Sequence, residues 1–542
     1  LDAPAHFGDQ IPALEGFGDA LRSDGFTAAV VAGMGGSSLA PEVLEQTFGR
    51  APDWLELRVL DSTDPIAVGA VVDDLDPLST LFIVASKSGT TTEPLAFQAD
   101  AWARIQAALD GRHEHQETPA TLMAAISDPG KSIEAIPHHD ELREVFLNPP
   151  DLGGRYSALT YVGLVPASLI GLSLGDLLGS ARDMLEQCRR TEPATNPGLA
   201  LGLALGTLAL AAPAGAGRDK VTFIADPEIA SLGSWLEQLI AESTGKQGVG
   251  IVPVDLEPLG TATAYGHDRV FVRLALAGST GPAPAPDGTT ADALVSQLAA
   301  AGHPVITIEL ADRIEIGAEF VRWEVATAFA GAVLGINAFD QPNVEEAKIL
   351  TRRLLARHAE AADARLHEAP PAPIDLLATG DGLALVGDAG LNAGGPADSV
   401  EAALRRHLAR AKPNAYLCLQ AYIAPSAQRD ATLARIRTLL RDRTGRATTS
   451  GYGPRFLHST GQLHKGGAPI GLFFQLTADH PADRQIPGWP YTFGQLIDAQ
   501  AAGDFGVLES HQLPVLRVHL EADPDAGLAA LERALATVLA GS

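Results

Sequence analysis

The chain of 542 residues has room for three or four domains at roughly 150 residues each. With 46% hydrophobic and 19% charged residues its composition is that of a globular protein, and 66 acidic against 39 basic side chains leave a net charge of −27. A surface this negative repels phosphate backbones, so no nucleic-acid partner and no membrane partner is expected, and a phosphorylated ligand must be held by a local site acting against the overall field.

The N-terminus, Leu1-Asp2-Ala3-Pro4-Ala5-His6, shows neither a basic nor an apolar leader region, and a cytoplasmic location is expected. It also lacks Met, which suggests a processed chain, an excised piece or part of a longer polypeptide. Residues 28–32 form a continuous apolar run that ends in Gly33-Met34-Gly35-Gly36-Ser37-Ser38, and a helical pattern follows through Leu39, Val43 and Leu44. Residues 55–60, 80–85 and 122–126 are further short apolar runs stopped by polar turns. Buried strands alternating with helices predict a doubly wound parallel sheet.

Two uncharged stretches, 156–175 and 193–217, are long enough to span a bilayer. Prolines and polar residues interrupt both, no aromatic and basic flanks bracket them, and buried interior helices are expected instead. A second α/β unit follows, with strands at 220–225, 269–274 and 304–310, a helix running to Glu242, and a loop at 279–290. A long helix over about 342–366 closes it, and Glu368-Ala369-Pro370-Pro371-Ala372-Pro373 reads as a linker. Strand-like runs at 383–386, 416–423 and 515–520, with helices at 399–411 and 426–444, predict a third α/β domain. The expected domains are 1–190, 191–367 and 368–542. The two cysteines, Cys188 and Cys418, are too few for a disulfide framework or a thiolate metal site, and no spaced His/Asp/Glu set suggests a metal.

Chemistry concentrates in two turns. The first, 33–38, falls short of a dinucleotide fingerprint because Ser38 stands where the last glycine belongs, although Asp61 could serve as a ribose-binding acid. The other reading is a phosphate cradle of backbone amides of this turn, Gly36 among its residues, and a helix N-terminus, with Ser37 adding a hydroxyl. The second turn is Ser86-Lys87-Ser88-Gly89-Thr90-Thr91-Thr92-Glu93-Pro94, with five hydroxyl side chains in seven residues. Helix capping needs only one of them. The set suits a phosphate monoester held by Ser86, Ser88, Thr90 and Thr91, with Lys87 alongside.

These paired turns resemble the sugar isomerase domain, and further segments resemble phosphoglucose isomerases. Gly153-Gly154-Arg155-Tyr156-Ser157 matches that family's first signature, with departures at Pro150 and Tyr161. The run from Phe339 through Asp340-Gln341-Pro342-Asn343 to Lys348 is similar to the second, with Asn343 in place of the usual Gly. Glu242-Ser243-Thr244-Gly245-Lys246, with Gln238 one turn earlier on the same helical face, is similar to the general-base motif. The resemblance implies two doubly wound sugar isomerase domains plus the C-terminal α/β domain, and aldose–ketose isomerisation of a phosphosugar without cofactor or metal. It assigns Glu242 as the base, Arg155 and Gln238 to support the intermediate, and Lys348 to proton transfer at the ring oxygen.

The family's ring-opening histidine lies between the base motif and the second signature, where this chain has only His267 and His303 in ordinary turns. The similar segment is His458-Ser459-Thr460-Gly461-Gln462-Leu463-His464-Lys465-Gly466-Gly467, in the third domain. His458 is therefore expected to have taken the role, with His464 in reserve, and the third domain is expected to fold back over the first two or over those of a partner subunit. The whole resembles the isomerase half of transaldolase–phosphoglucose isomerase fusions, which implies a transaldolase domain in the full-length chain and leaves a homo-oligomer open. A dual phosphoglucose/phosphomannose isomerase, with Thr244 as a specificity residue, and a non-catalytic phosphosugar sensor are the alternatives.

Overall fold

Three sheets organise the chain, and each apolar run is long enough for one buried strand. The computed structural model describes residues 2–111, 118–210, 217–343, 346, 348–356, 376–521 and 523–540. The first sheet contains β1 (Ala28–Gly33), β2 (Glu56–Leu60), β3 (Thr80–Ala85), β4 (Met123–Ser127) and β5 (Glu144–Leu147). All are parallel, in the order β2-β1-β3-β4-β5. β1, β3 and β4 are buried at every position, as uninterrupted apolar strands covered on both faces must be. The chain reverses its direction of travel between β1 and β3, where Gly33 pairs with Ala85. The two hydroxyl-bearing turns therefore leave neighbouring strand ends at the switch point, where open α/β sheets bind ligands.

The second sheet is also parallel, with β6 (Lys220–Ala225), β7 (Val252–Val254), β8 (Arg269–Leu276) and β9 (Val305–Leu310) in the order β7-β6-β8-β9. Its loop before the helix Ala291–Ala300 matches the expectation at 279–290. Both uncharged stretches contribute buried helix faces. Val162 to Leu169 of the helix Tyr161–Leu169 is buried throughout. The helix Pro197–Leu210 packs through Gly198, Gly202 and Gly206 against the helix Ile316–Leu334, so closely that a Cβ on Gly202 would fall 2.3 Å from the Ala326 carbonyl. Among the described residues no helix is long and apolar enough to cross a membrane. The two sheets share one continuous apolar core. The expected boundary near 190 follows the helix Leu174–Cys188, whereas the linker at 368–373, and with it the boundary near 367, lies outside the described residues.

The third sheet has six strands, β10 (Ala378–Gly380), β11 (Leu383–Gly387), β12 (Tyr416–Tyr422), β13 (Ala447–Tyr452), β14 (Gly471–Ala478) and β15 (Val515–Leu520). Their order is β10-β11-β15-β14-β12-β13, antiparallel at β10–β11–β15 and parallel elsewhere. This domain has its own core, and a smaller cluster joins Ala241, Val252 and Val254 to Tyr416, Cys418, Leu463 and Phe473. Buried arginines reinforce that seam: Arg437 donates to the Asp255 carbonyl at 2.7 Å, and Glu257 accepts from Arg269 at 3.1 Å and from Thr448 at 2.7 Å. The third domain thus folds back over the first two of its own chain.

Candidate active site

Twelve of the residues nominated from the sequence line one cavity of about 690 Å³ where the three sheets meet: Gly36, Ser37, Ser86, Lys87, Ser88, Thr90, Thr91, Arg155, Gln238, Glu242, Lys348 and His458. One end of the cavity is built by the turn after β3. Ser86 donates to Thr91 at 3.2 Å, and the Ser88 and Thr90 hydroxyls are 3.0 Å apart. Thr91 stands at the N-cap of the helix Thr92–Asp110 yet makes no capping bond, so helix capping does not account for these hydroxyls. Clustered hydroxyls at a helix start suit an anion. The ammonium of Lys87 is taken up by Asp128 at 2.5 Å and the Pro150 carbonyl at 3.0 Å, which leaves the hydroxyls as the neutral donors of this turn.

The first turn acts as a seat. Gly35 has φ +55°, and a Cβ there would lie 2.4 Å from the His458 carbonyl; a Cβ on Gly36 would lie 2.2 Å from the Gly154 carbonyl. Two glycines therefore let the Gly153-Gly154-Arg155 turn and the His458 turn close on the same point. Asp61 does not act as a ribose-binding acid: it forms an ion pair with Arg455 at 3.3 Å, and Arg455 also pairs with Glu42.

Glu242 lies near the end of the helix Leu232–Thr244, 8% exposed. Its Oε1 accepts from Arg155 at 3.0 Å and its Oε2 from Gln238 at 3.0 Å. Burial raises its pKa above the ordinary 4.5, with Arg155, Gln238, His458 and Lys246 pulling the other way. Gln238 also donates to the His458 carbonyl at 2.8 Å, while its own buried Oε1 has no partner and stands ready to accept a ligand hydroxyl. Arg155 is 1% exposed and commits every N–H: Nε to Ser243, Nη1 to Glu242 and Gln341, Nη2 to the carbonyls of Ala338 and Asp340. It offers the cavity fixed positive charge rather than a spare hydrogen bond. Lys246 pins the same loop by donating to Asn337 O and Asp340 Oδ1, each at 2.8 Å.

His458 ends the 3-10 turn Arg455–His458, with Nε2 3.1 Å from Glu93 Oε1. Burial would raise Glu93, but the charge and hydrogen bond of His458, with Lys348 adding its charge, hold its pKa below the ordinary value. His464 is corrected out of the site. It lies 5% exposed among Tyr416, Phe456 and Phe473, where burial, and then the charge of Lys465, push its pKa down to about 3. His303 packs edge-on against Phe271, away from the cavity. Thr244 is likewise fully buried, donating to Ile240 O and accepting from Ile251 N, so it cannot touch a sugar. Residues 348–356, including Lys348, are helical; Val344, Glu345 and Ala347 lie outside the described residues. Asn343, the departure in the second signature, exchanges bonds with Gln462 of the third domain at 2.9 Å.

Sequence reading missed several lining residues: Glu93, Asp128, Gln341, Tyr491 and Gln500. Glu93 stood in plain view in the hydroxyl-rich turn, but an acid in the first turn of a helix is explained by the dipole alone. Among the described residues no group of three His, Cys, Asp or Glu is placed to hold a metal ion.

Residues 7–267 match the family model described as phosphoglucose isomerase. A glucose-6-phosphate isomerase of Rubrobacter xylanophilus is 30% identical over 378 residues, 62% of this chain and 84% of the relative. That of Thermus thermophilus is 30% identical over 366 residues, covering 60% and 83%. Among solved structures, a hypothetical protein of Thermus thermophilus superposes with TM-score 0.57 at 26% identity over 66% of this chain and 89% of its own. A glucose-6-phosphate isomerase of Chlamydia trachomatis gives 0.52 at 21% over 67% and 76%, a likeness of fold. With its motifs gathered in one cavity and these relatives matched over most of their length, this chain belongs to the phosphoglucose isomerase family.

Proposed function

We propose that the cavity interconverts glucose 6-phosphate and fructose 6-phosphate without a cofactor. The observation that carries this reading is a buried carboxylate, Glu242, clamped between Arg155 and Gln238 in the same cavity as the hydroxyl-rich turn and His458. Ser37, Ser86, Ser88, Thr90 and Thr91 hold the phosphate. Ring opening takes a proton off the anomeric hydroxyl and puts one on the ring oxygen. His458, backed by Glu93, and Lys348 handle those two protons.

Glu242 then carries the proton from C2 to C1 through a cis-enediol. Its raised proton affinity suits a base that must release the same proton again. The Arg155 charge stabilises the enediolate, and the unpartnered Gln238 Oε1 accepts a sugar hydroxyl. A sensor without chemistry would need none of Glu242, Arg155 or Lys348.

The test is a coupled assay of glucose 6-phosphate formation from fructose 6-phosphate, run with a chelator present. Wild type turns over, and Glu242→Gln loses at least about 10²-fold in kcat, the lower range for a general base. It also ceases to exchange the C1 proton with solvent while still binding fructose 6-phosphate. Unchanged exchange in Glu242→Gln would refute the assignment of the base.

A further inference from the structure

Behind the Glu93–His458 pair stands a residue that no motif indicates. Gln500 lies on the third-domain helix Phe493–Ser510 and is 3% exposed. Its amide nitrogen donates to Glu93 Oε1 at 2.6 Å, and its amide oxygen accepts from the hydroxyl of fully buried Thr63 at 2.7 Å. The chain of contacts Thr63–Gln500–Glu93–His458 crosses repeatedly between the first and third domains.

The direction of each bond follows from the donors available. The Thr63 hydroxyl donates to the Gln500 oxygen, which turns the NH2 group toward Glu93; the flipped amide would set two acceptor oxygens 2.6 Å apart. Glu93 Oε1, already accepting from that NH2, meets His458 Nε2 as an acceptor, so the proton between them belongs to Nε2. The tautomer of His458 is thereby set, with Nδ1 as the nitrogen that gains and loses a proton. The other titratable groups acting on the pair are Lys348 and Tyr491 at Glu93, and Glu242 and Asp61 at His458.

We propose that Gln500, oriented by Thr63, is a positioning residue for ring opening, holding Glu93 as an acceptor and so fixing the tautomer of His458. The proposal rests on the isomerase reading above. It assigns the third domain a part in ring opening through Gln500 as well as through His458, and none in the proton transfer at C2.

The experiment compares fructose 6-phosphate with 5-deoxyfructose 6-phosphate, which has no C5 hydroxyl with which to close the ring. Gln500→Met keeps the side-chain length but neither donates nor accepts as an amide does. It is expected to lower kcat on fructose 6-phosphate about ten-fold, a fraction of the full worth of an acid–base group, with KM little changed. On the acyclic substrate kcat stays within about two-fold. Thr63→Val is expected to lower kcat on fructose 6-phosphate by less, again with little change on the acyclic substrate, and serves alone if Gln500→Met does not fold. The 15N shifts of the His458 ring are expected to show the Nε2–H form in wild type and a tautomer mixture in the variants. Equal losses on both substrates, or an unchanged kcat on fructose 6-phosphate, would overturn the proposal. A wild type inactive on both substrates would instead overturn the isomerase reading.

Discussion

Arg155 Nη1 donates to Glu242 Oε1 across 3.0 Å, and the same guanidinium holds the loop of the second signature through Gln341 and two backbone carbonyls. The residue read as an enediolate stabiliser thus also opposes the burial that raises the proton affinity of Glu242, and it holds the loop in place. Charge and scaffold meet in one side chain.

Replacing it separates the two. Arg155→Lys keeps a charge but cannot span Ser243, Glu242 and the loop carbonyls together. Glu242 loses its hydrogen bond from Nη1 and the fixed placement of the opposing charge, so its pKa, already raised by burial, rises further. A base works ionised, and activity is lost as pH falls through its pKa. The acid limb of kcat/KM is therefore expected to move to higher pH, with a drop of about 10²-fold at neutral pH. Parallel pH profiles of wild type and variant check this.

Gly36 tests the seat. A methyl group there would meet the Gly154 carbonyl at 2.2 Å, and backbone cannot give way as a flexible side chain can. Gly36→Ala is expected to cost about 1–3 kcal/mol by overpacking and to lower kcat/KM at least ten-fold as the Arg155 turn shifts. Ser37→Ala, which removes only a hydroxyl from the same turn, is expected mainly to raise KM. Urea unfolding and steady-state kinetics on both variants separate the two effects.

Arg455 anchors the third domain to the first. It is paired with Glu42 and Asp61 three residues before His458. Arg455→Gln leaves two acids facing each other, but with the Arg455 side chain 24% exposed the loss is expected at about 2–3 kcal/mol, below the cost of breaking a fully buried pair. Adding Asp61→Asn is expected to recover part of it. A double-mutant cycle in urea supplies the measurement.

Asp255, under the base helix, gives a pH-dependent prediction. Burial lifts its pKa from 3.8 to about 7, with Arg437 drawing it back. Because the folded value exceeds the unfolded one, its contribution to stability is complete below about pH 4 and is lost as pH rises toward 7. Asp255→Asn removes that loss. Its Tm is expected to exceed that of wild type at pH 8 and to match it more closely at pH 5, read by calorimetry across that range.

The sequence by itself determined what local chemistry makes conspicuous. Apolar runs fixed the parallel sheets, because a strand covered on both faces has no place for polar residues. The hydroxyl-rich turn, the two glycines before Arg155 and the Gln238/Glu242 spacing each exceed what capping or solvation requires. Tertiary structure decided between His458 and His464, six residues apart in similar surroundings of sequence: one turns to Glu93, the other packs among three aromatic rings. It also decided the parts played by Glu93, Arg455, Gln341 and Gln500, ordinary polar residues whose meaning lies in partners up to hundreds of positions away. A hydrogen bond or ion pair acts over a few ångströms of space, and only the folded chain sets which residues come within that reach.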